Sequence, residues 1–118
     1  MPNDLKERTK RFALDVFRLC SALPQKQEFR IISNQLMRCG SSVGANYRAA
    51  CRSKSKADFI NKLSIVEEEA DESCYWLELL ESLGTSNSEL LRLKDETNQL
   101  VAIMVQSKKT ARSSDRRI

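Results

Sequence analysis

The sequence predicts an all-α protein, an antiparallel up-down-up-down four-helix bundle. Three observations carry this. Apolar residues return every three or four positions in four separate stretches, the spacing of one helix face. Only three Gly and two Pro punctuate 118 residues, too few for a turn-rich β fold. The connections between the stretches are short, which sets successive helices side by side and antiparallel. A chain of this length holds one domain with a sizeable core; residues 4–107 are expected to form the bundle and 108–118 a basic tail.

The first helix is expected from about Asp4 to Ala22. Asp4 is a fair N-cap, with Glu7 three residues on. Leu5, Thr9, Phe12, Val16, Leu19 and Leu23 make a heptad-like seam, widened by Ala13, Phe17 and Cys20. Pro24 ends it, because a residue before proline is pushed out of helical geometry. The second helix runs from near Gln27 to about Arg52 on Phe29, Ile32, Leu36, Cys39, Val43, Tyr47 and Ala50. Gly40 and Gly44 lie inside it, and each costs roughly 1 kcal/mol against Ala in a helix interior. With Ser41 and Ala45 they form a small-residue surface where another helix backbone can come close. One unbroken helix with a close contact is expected there, rather than a kink at Gly40.

The third helix starts after Ser55, an N-cap with Asp58 at N3. It follows Phe59, Leu63, Val66, Ala70, Ser73, Leu77 and Leu80, and ends near Gly84, a C′ glycine. Ile60, Trp76, Leu79 and Leu83 widen its apolar surface beyond one seam. That excess predicts a contact between subunits at Trp76, Leu79 and Leu83. The fourth helix opens with a capping box of Ser86 and Glu89. It continues through Leu90, Leu93, Thr97, Leu100 and Met104 to about Ser107. The remainder, KKTARSSDRRI, has no apolar periodicity and is expected to be a disordered basic arm suited to phosphates.

The formal net charge of +4 conceals a sharper pattern. Residues 1–62 carry 13 basic and 5 acidic side chains, residues 63–107 carry 2 and 10, and residues 108–118 carry 5 and 1. Two readings fit: halves that pack together and screen each other, or a polarised surface that offers one face to an anion. The cations concentrate at the joint of the second and third helices, at Arg38, Arg48, Arg52, Lys54, Lys56 and Lys62, with Lys6, Lys10 and Arg11 on the first helix. Fixed cations at a helix corner bind phosphates without reading bases. Tyr47 is open to two readings, a base-stacking ring and a core tyrosine.

Several function classes lose their chemistry here. There is no histidine, which removes the commonest general base and metal ligand. Cys20, Cys39, Cys51 and Cys74 form no C-x-x-C pair and read as small buried hydrophobes. Glu67, Glu68, Glu69, Asp71 and Glu72 are the one carboxylate cluster. Di-metal bundles add Glu-x-x-His, so an ion-pairing or solvated stripe is the expected reading. No glycine-rich loop is present to cradle phosphates. No enzymatic activity, cofactor or metal is therefore expected. The charged start MPNDLKERTKRF is unlike a signal peptide, and no apolar run spans a bilayer, so a reducing cytoplasm is expected and no membrane.

The runs Gln35-Leu36-Met37-Arg38, Ser42-Val43-Gly44-Ala45-Asn46-Tyr47, Asp58-Phe59-Ile60-Asn61-Lys62-Leu63, Glu69-Ala70-Asp71-Glu72-Ser73 and Tyr75-Trp76-Leu77 resemble the four-helix-bundle proteins encoded in intervening sequences of bacterial 23S ribosomal RNA genes. Phe12-Ala13-Leu14 and Leu23-Pro24 fit the same pattern, so the resemblance spans about residues 4–107. That family also includes the accessory variability proteins of diversity-generating retroelements. The resemblance implies a subunit that assembles into a ring, commonly a pentamer, with a basic surface for RNA or DNA, no known enzymatic activity and, in the retroelement branch, a reverse transcriptase as partner. It makes Arg38, Asn46, Tyr47, Lys62, Glu69, Glu72, Tyr75 and Trp76 the family-pattern positions. Asn46 and Glu72 are candidates to pair inside the bundle. Two positions depart from the pattern: Cys39 stands where Ser is usual, and Ala49 where Glu is common. The expected function is a non-enzymatic, nucleic-acid-binding homo-oligomer, with RNA favoured over DNA. The alternative is a partner-binding ring with no nucleic-acid role of its own.

Overall fold

Four helices build the chain: α1 (Pro2–Ser21), α2 (Gln27–Cys51), α3 (Lys56–Ser82) and α4 (Ser88–Asp115). They belong to a computed structural model that describes residues 2–115. Each helix end has a local cause. α1 begins at Pro2, a residue preset for the first helical turn, and Asp4 sits in that turn instead of capping it. Ser55 caps α3 by accepting the Asp58 amide at 3.0 Å. Gly84 takes φ of +100° after α3. Its amide bonds the Glu81 carbonyl and the Thr85 amide bonds that of Leu80, each at 3.0 Å. This is the paired C-terminal closure that a left-handed glycine permits.

Two boundaries correct the sequence reading at α4. The cap is Asn87, whose Oδ1 accepts the Leu90 amide at 2.8 Å; the Ser86–Glu89 box is not used. Asn and Ser are near-equal caps, so periodicity alone did not choose between positions one residue apart. The helix also continues eight residues past Ser107, to Asp115. Lys108 reaches back to Glu67 on α3 at 2.8 Å, and Lys56 donates to the Ser114 hydroxyl at 2.6 Å. Polar side chains, together with Phe59 beside Ala111, hold these turns against α3. The expected disordered tail is thus helical over 108–115, and 116–118 lie outside the described residues.

Paired residues give the helix directions. Val16 meets Gly40 while Thr9 meets Gly44; Lys94 reaches Glu81 while Lys108 reaches Glu67; Arg8 pairs with Glu96 while Arg92 pairs with Asp15. In each set one number rises as the other falls, so α1 is antiparallel to α2 and to α4, and α3 to α4. The bundle measures 55 × 22 × 20 Å. Phe12, Leu36, Leu63, Leu77, Leu90, Leu100 and Met104 fill its axis and are essentially inaccessible, each contributing about 1.5–3 kcal/mol by burial.

α2 is one continuous helix through both internal glycines. A Cβ at Gly40 would stand 3.3 Å from both Val16 methyls, and one at Gly44 would stand 3.1 Å from Thr9 Oγ1 and 3.4 Å from the Thr9 carbonyl carbon. The glycines therefore let α1 lie close on α2. Arg8 then clips α1 to α4 through a two-pronged contact with Glu96 at 2.7 and 2.8 Å. That bond outweighs partial burial and raises the guanidinium pKa.

Candidate nucleic-acid interface

The antiparallel order brings the start of α1, the end of α2, the start of α3 and the end of α4 to one end of the bundle. Lys6 and Lys10 are one turn apart on α1; Arg48 is in the last turn of α2 and Arg52 caps its end. Lys6, Lys10 and Arg48 border an open groove of about 500 Å³ between α1 and α2, floored by Ala13, Ser41, Gly44 and Ala45. Lys6, Arg48 and Arg52 line its continuation toward the end of the bundle. Arg52 and Lys54 then border a hollow at the α2–α3 turn with Ser53, Ser55 and Asp58. Among the described residues Lys6, Lys10, Arg48, Arg52 and Lys54 form no ion pair. Their charge is therefore available to a ligand.

The other candidate cations are placed differently. Arg38 is tied into α3: it donates to Glu69 at 3.2 Å and, more closely, to Glu72. Glu72 also accepts the Trp76 indole N–H at 3.1 Å. Arg38 thus belongs to an α2–α3 staple and stands apart from the groove. Lys62 lies 3.9 Å from Asp58. Lys56 is at the basic end but donates to Ser114. Arg11 does not line the groove; it lies one turn from Arg8 and Asp15, the α1 residues that pair with α4. The sequence reading missed Lys109 and Arg112 as ordered charges. Both are exposed on the last turns of α4, and the signal was only their position, one and four residues past Lys108.

Tyr47 is buried, which decides its two readings in favour of the core. Burial, reinforced by a hydrogen bond with Cys51, pushes its phenol up to about 12. Cys20, Cys39 and Cys74 are buried as expected, and Cys51 is exposed. Burial raises the thiol pKa of Cys20 and Cys39. Asn46 does not pair with Glu72; its amide donates to the Ser42 carbonyl at 2.9 Å and hydroxyl at 2.8 Å, one turn back on α2. Of the three subunit-contact candidates, Trp76 and Leu79 pack partly against the chain's own core, while Leu83 is 49% exposed. Ile31 and Tyr75, each 53% exposed, are large apolar side chains outside the expected subunit contacts. No group of three His, Cys, Asp or Glu side chains able to hold a metal ion occurs among the described residues. None of the described helices is long and apolar enough to cross a membrane.

The model of the 23S rRNA-intervening sequence proteins matches residues 2–106. The chain belongs to this family. The crystal structure of a protein from the S23 ribosomal protein family of Bacteroides thetaiotaomicron VPI-5482 is similar to it, at 33% sequence identity and a TM-score of 0.81. The alignment covers 89% of this chain and 98% of that one. None of the curated proteins matches. The matched residues of the 23S rRNA-intervening sequence family stop at 106, just before the basic turns of α4.

Proposed function

We propose that this chain is a non-enzymatic nucleic-acid-binding protein of the cytoplasm, taking RNA in preference to DNA. In this reading it works as a homo-oligomer, a pentamer by its resemblance to the ring-forming family. The observation that carries the proposal is the set of unpaired cations at one end of the bundle, Lys6, Lys10, Arg48, Arg52 and Lys54. They sit on helices and a short turn, so little backbone freedom is lost on meeting phosphates. Binding is backbone-led, with little base readout, and falls steeply as salt rises.

The test is a filter-binding titration with RNA at low salt, using the chain and its Arg48→Glu/Arg52→Glu variant. The chain retains RNA, and the variant loses binding while keeping its oligomer mass by light scattering. Absence of RNA and DNA retention by the unmodified chain refutes the proposal. A monomeric mass at micromolar concentration refutes the oligomer.

A second reading has its own observation. Ile31 on α2, Tyr75 on α3 and Leu83 at the end of α3 leave apolar surface exposed, and Tyr75 adjoins the Arg38–Glu72–Trp76 staple. Such surface suits a protein partner, of which a reverse transcriptase is the kind the resemblance implies. Retention of that partner by the Arg48→Glu/Arg52→Glu variant, with no RNA bound by either protein, favours this reading.

A further inference from the structure

The ordered end of α4 changes what the basic surface can hold. Lys108 bound to Glu67 and Lys56 bound to Ser114 fix the last turns of α4 beside α3. This places Lys109 and Arg112 as a second bank of charge. The first bank, with Arg48 and Arg52, lines the α1–α2 groove; among the described residues α2 packs on α1 and α3 and makes no contact with α4, so it stands diagonally across the bundle from α4. Lys54 lies between them in the α2–α3 turn. The cations thus come from α1, α2, the α2–α3 turn and α4 at one end. One strand of phosphates occupies a single track. Two banks on diagonally placed helices suit two strands.

Among the described residues the same end offers no fully exposed aromatic face. Proteins that hold single strands without sequence preference combine a basic track with aromatic faces, worth about 1–3 kcal/mol per base. Here Tyr47 is buried, and Phe59 is half-buried against Ala111 and Ser114 of α4. Tyr75 lies 19 residues beyond Lys56 on α3, roughly 28 Å away at 1.5 Å per residue. What remains is attraction to phosphate, which is stronger for a duplex: it carries a charge about every 1.7 Å of axis, against about 3.4 Å for one of its strands.

We infer that the basic end of the bundle binds double-stranded nucleic acid in preference to single strands, with Lys109 and Arg112 on α4 engaging one strand and the α1–α2 groove the other. This rests on the nucleic-acid reading above and names its ligand class.

The test uses the full chain and three fluorescently labelled probes of equal length: an RNA duplex of about 16 base pairs, enough for a protein to span two minor grooves, a DNA duplex, and an unstructured RNA strand. Anisotropy titrations at several salt concentrations are expected to give the RNA duplex an affinity at least about tenfold above the single strand, given its denser charge. Lys109→Ala/Arg112→Ala keeps good helix formers in α4, and circular dichroism checks that the helix content is unchanged. This variant is expected to flatten the logarithmic salt slope for the duplex by about 2, since each lost phosphate contact removes about 0.9. Single-strand binding stays nearly constant. Equal affinity for strand and duplex, or a duplex slope untouched by the variant, overturns this inference and leaves the nucleic-acid reading standing. Failure of all three probes overturns that reading as well.

Discussion

Replacing Gly44 by Ala tests how closely α1 and α2 approach. Ala gains about 1 kcal/mol over Gly in a helix interior, so with no neighbour the change would stabilise. The new Cβ, however, would stand 3.1 Å from Thr9 Oγ1 and 3.4 Å from Thr9 Cβ and its carbonyl carbon. Thr9 is fully buried, and its hydroxyl is held by the Leu5 carbonyl at 2.7 Å. With backbone behind it, Thr9 cannot swing aside, so α1 must shift. Overpacking of this kind costs about 1–3 kcal/mol. The balance is a loss near 1 kcal/mol, a fall in Tm of about 4 °C for a chain of this size. In a Thr9→Ala background the closest atom is gone and the rest lie at ordinary contact. Gly44→Ala should there raise Tm by a similar amount, a coupling of about 2 kcal/mol between the positions. Reversible thermal melts of the four proteins, followed by circular dichroism, measure this. A rise in Tm from Gly44→Ala in both backgrounds refutes the close crossing.

Three further outcomes follow from named contacts. Asn87→Ala should cost about 1 kcal/mol by removing the α4 cap, while Ser86→Ala stays near neutral; chemical denaturation of both variants separates the two caps. Because the folded chain holds the Tyr47 proton up to about pH 12 and an unfolded tyrosine loses it near pH 10, the contribution of Tyr47 to stability is intact below pH 10 and is lost as pH rises from 10 to 12. Ultraviolet titration of a Tyr75→Phe variant, where only Tyr47 reports, should show a phenol that ionises near 12 or at unfolding; ionisation near 10 in the folded state counts against its burial. Arg38→Ala should cost no more than about 1 kcal/mol, its pairs being half-exposed, and should leave RNA affinity within about twofold while Arg52→Ala weakens it and its salt slope; equal effects in binding titrations would put Arg38 on the binding surface.

Much of the bundle was legible because burial and periodicity coincide in it. The buried positions of α2 repeat the expected seam from Phe29 to Ala50, and Gly84 and Ser55 end and start α3 through bonds that their residue types dictate. The end of α4 was illegible for the opposite reason. Lys108 and Ser114 are held by partners 41 and 58 residues away, Glu67 and Lys56, and no local pattern announces such pairs. The interface was half legible. Charge clustering in sequence found Arg48, Arg52 and Lys54, but sequence proximity does not say which cations meet a carboxylate. Arg38 has the same local appearance as Arg48, yet α3 presents Glu69 and Glu72 to it alone. Trp76 and Leu79 widened the apolar face as read, and the chain uses part of that width itself.

The gathering of cations at one end of a 55 Å rod also alters what the net charge of +4 means. Mobile ions screen charge over about 8 Å at physiological ionic strength, a small fraction of that length. An anion at the basic end therefore responds to the cations beside it, while the carboxylates at the far end of α3, such as Glu78 and Glu81, and those in the first half of α4 are electrically remote. The isoelectric point averages over regions that a ligand never feels together. Two relatives of equal net charge can differ widely in their hold on a polyanion if one spreads its lysines along the rod. Conversely, acidic changes far from this end can carry the whole molecule to neutrality and leave the attraction in place.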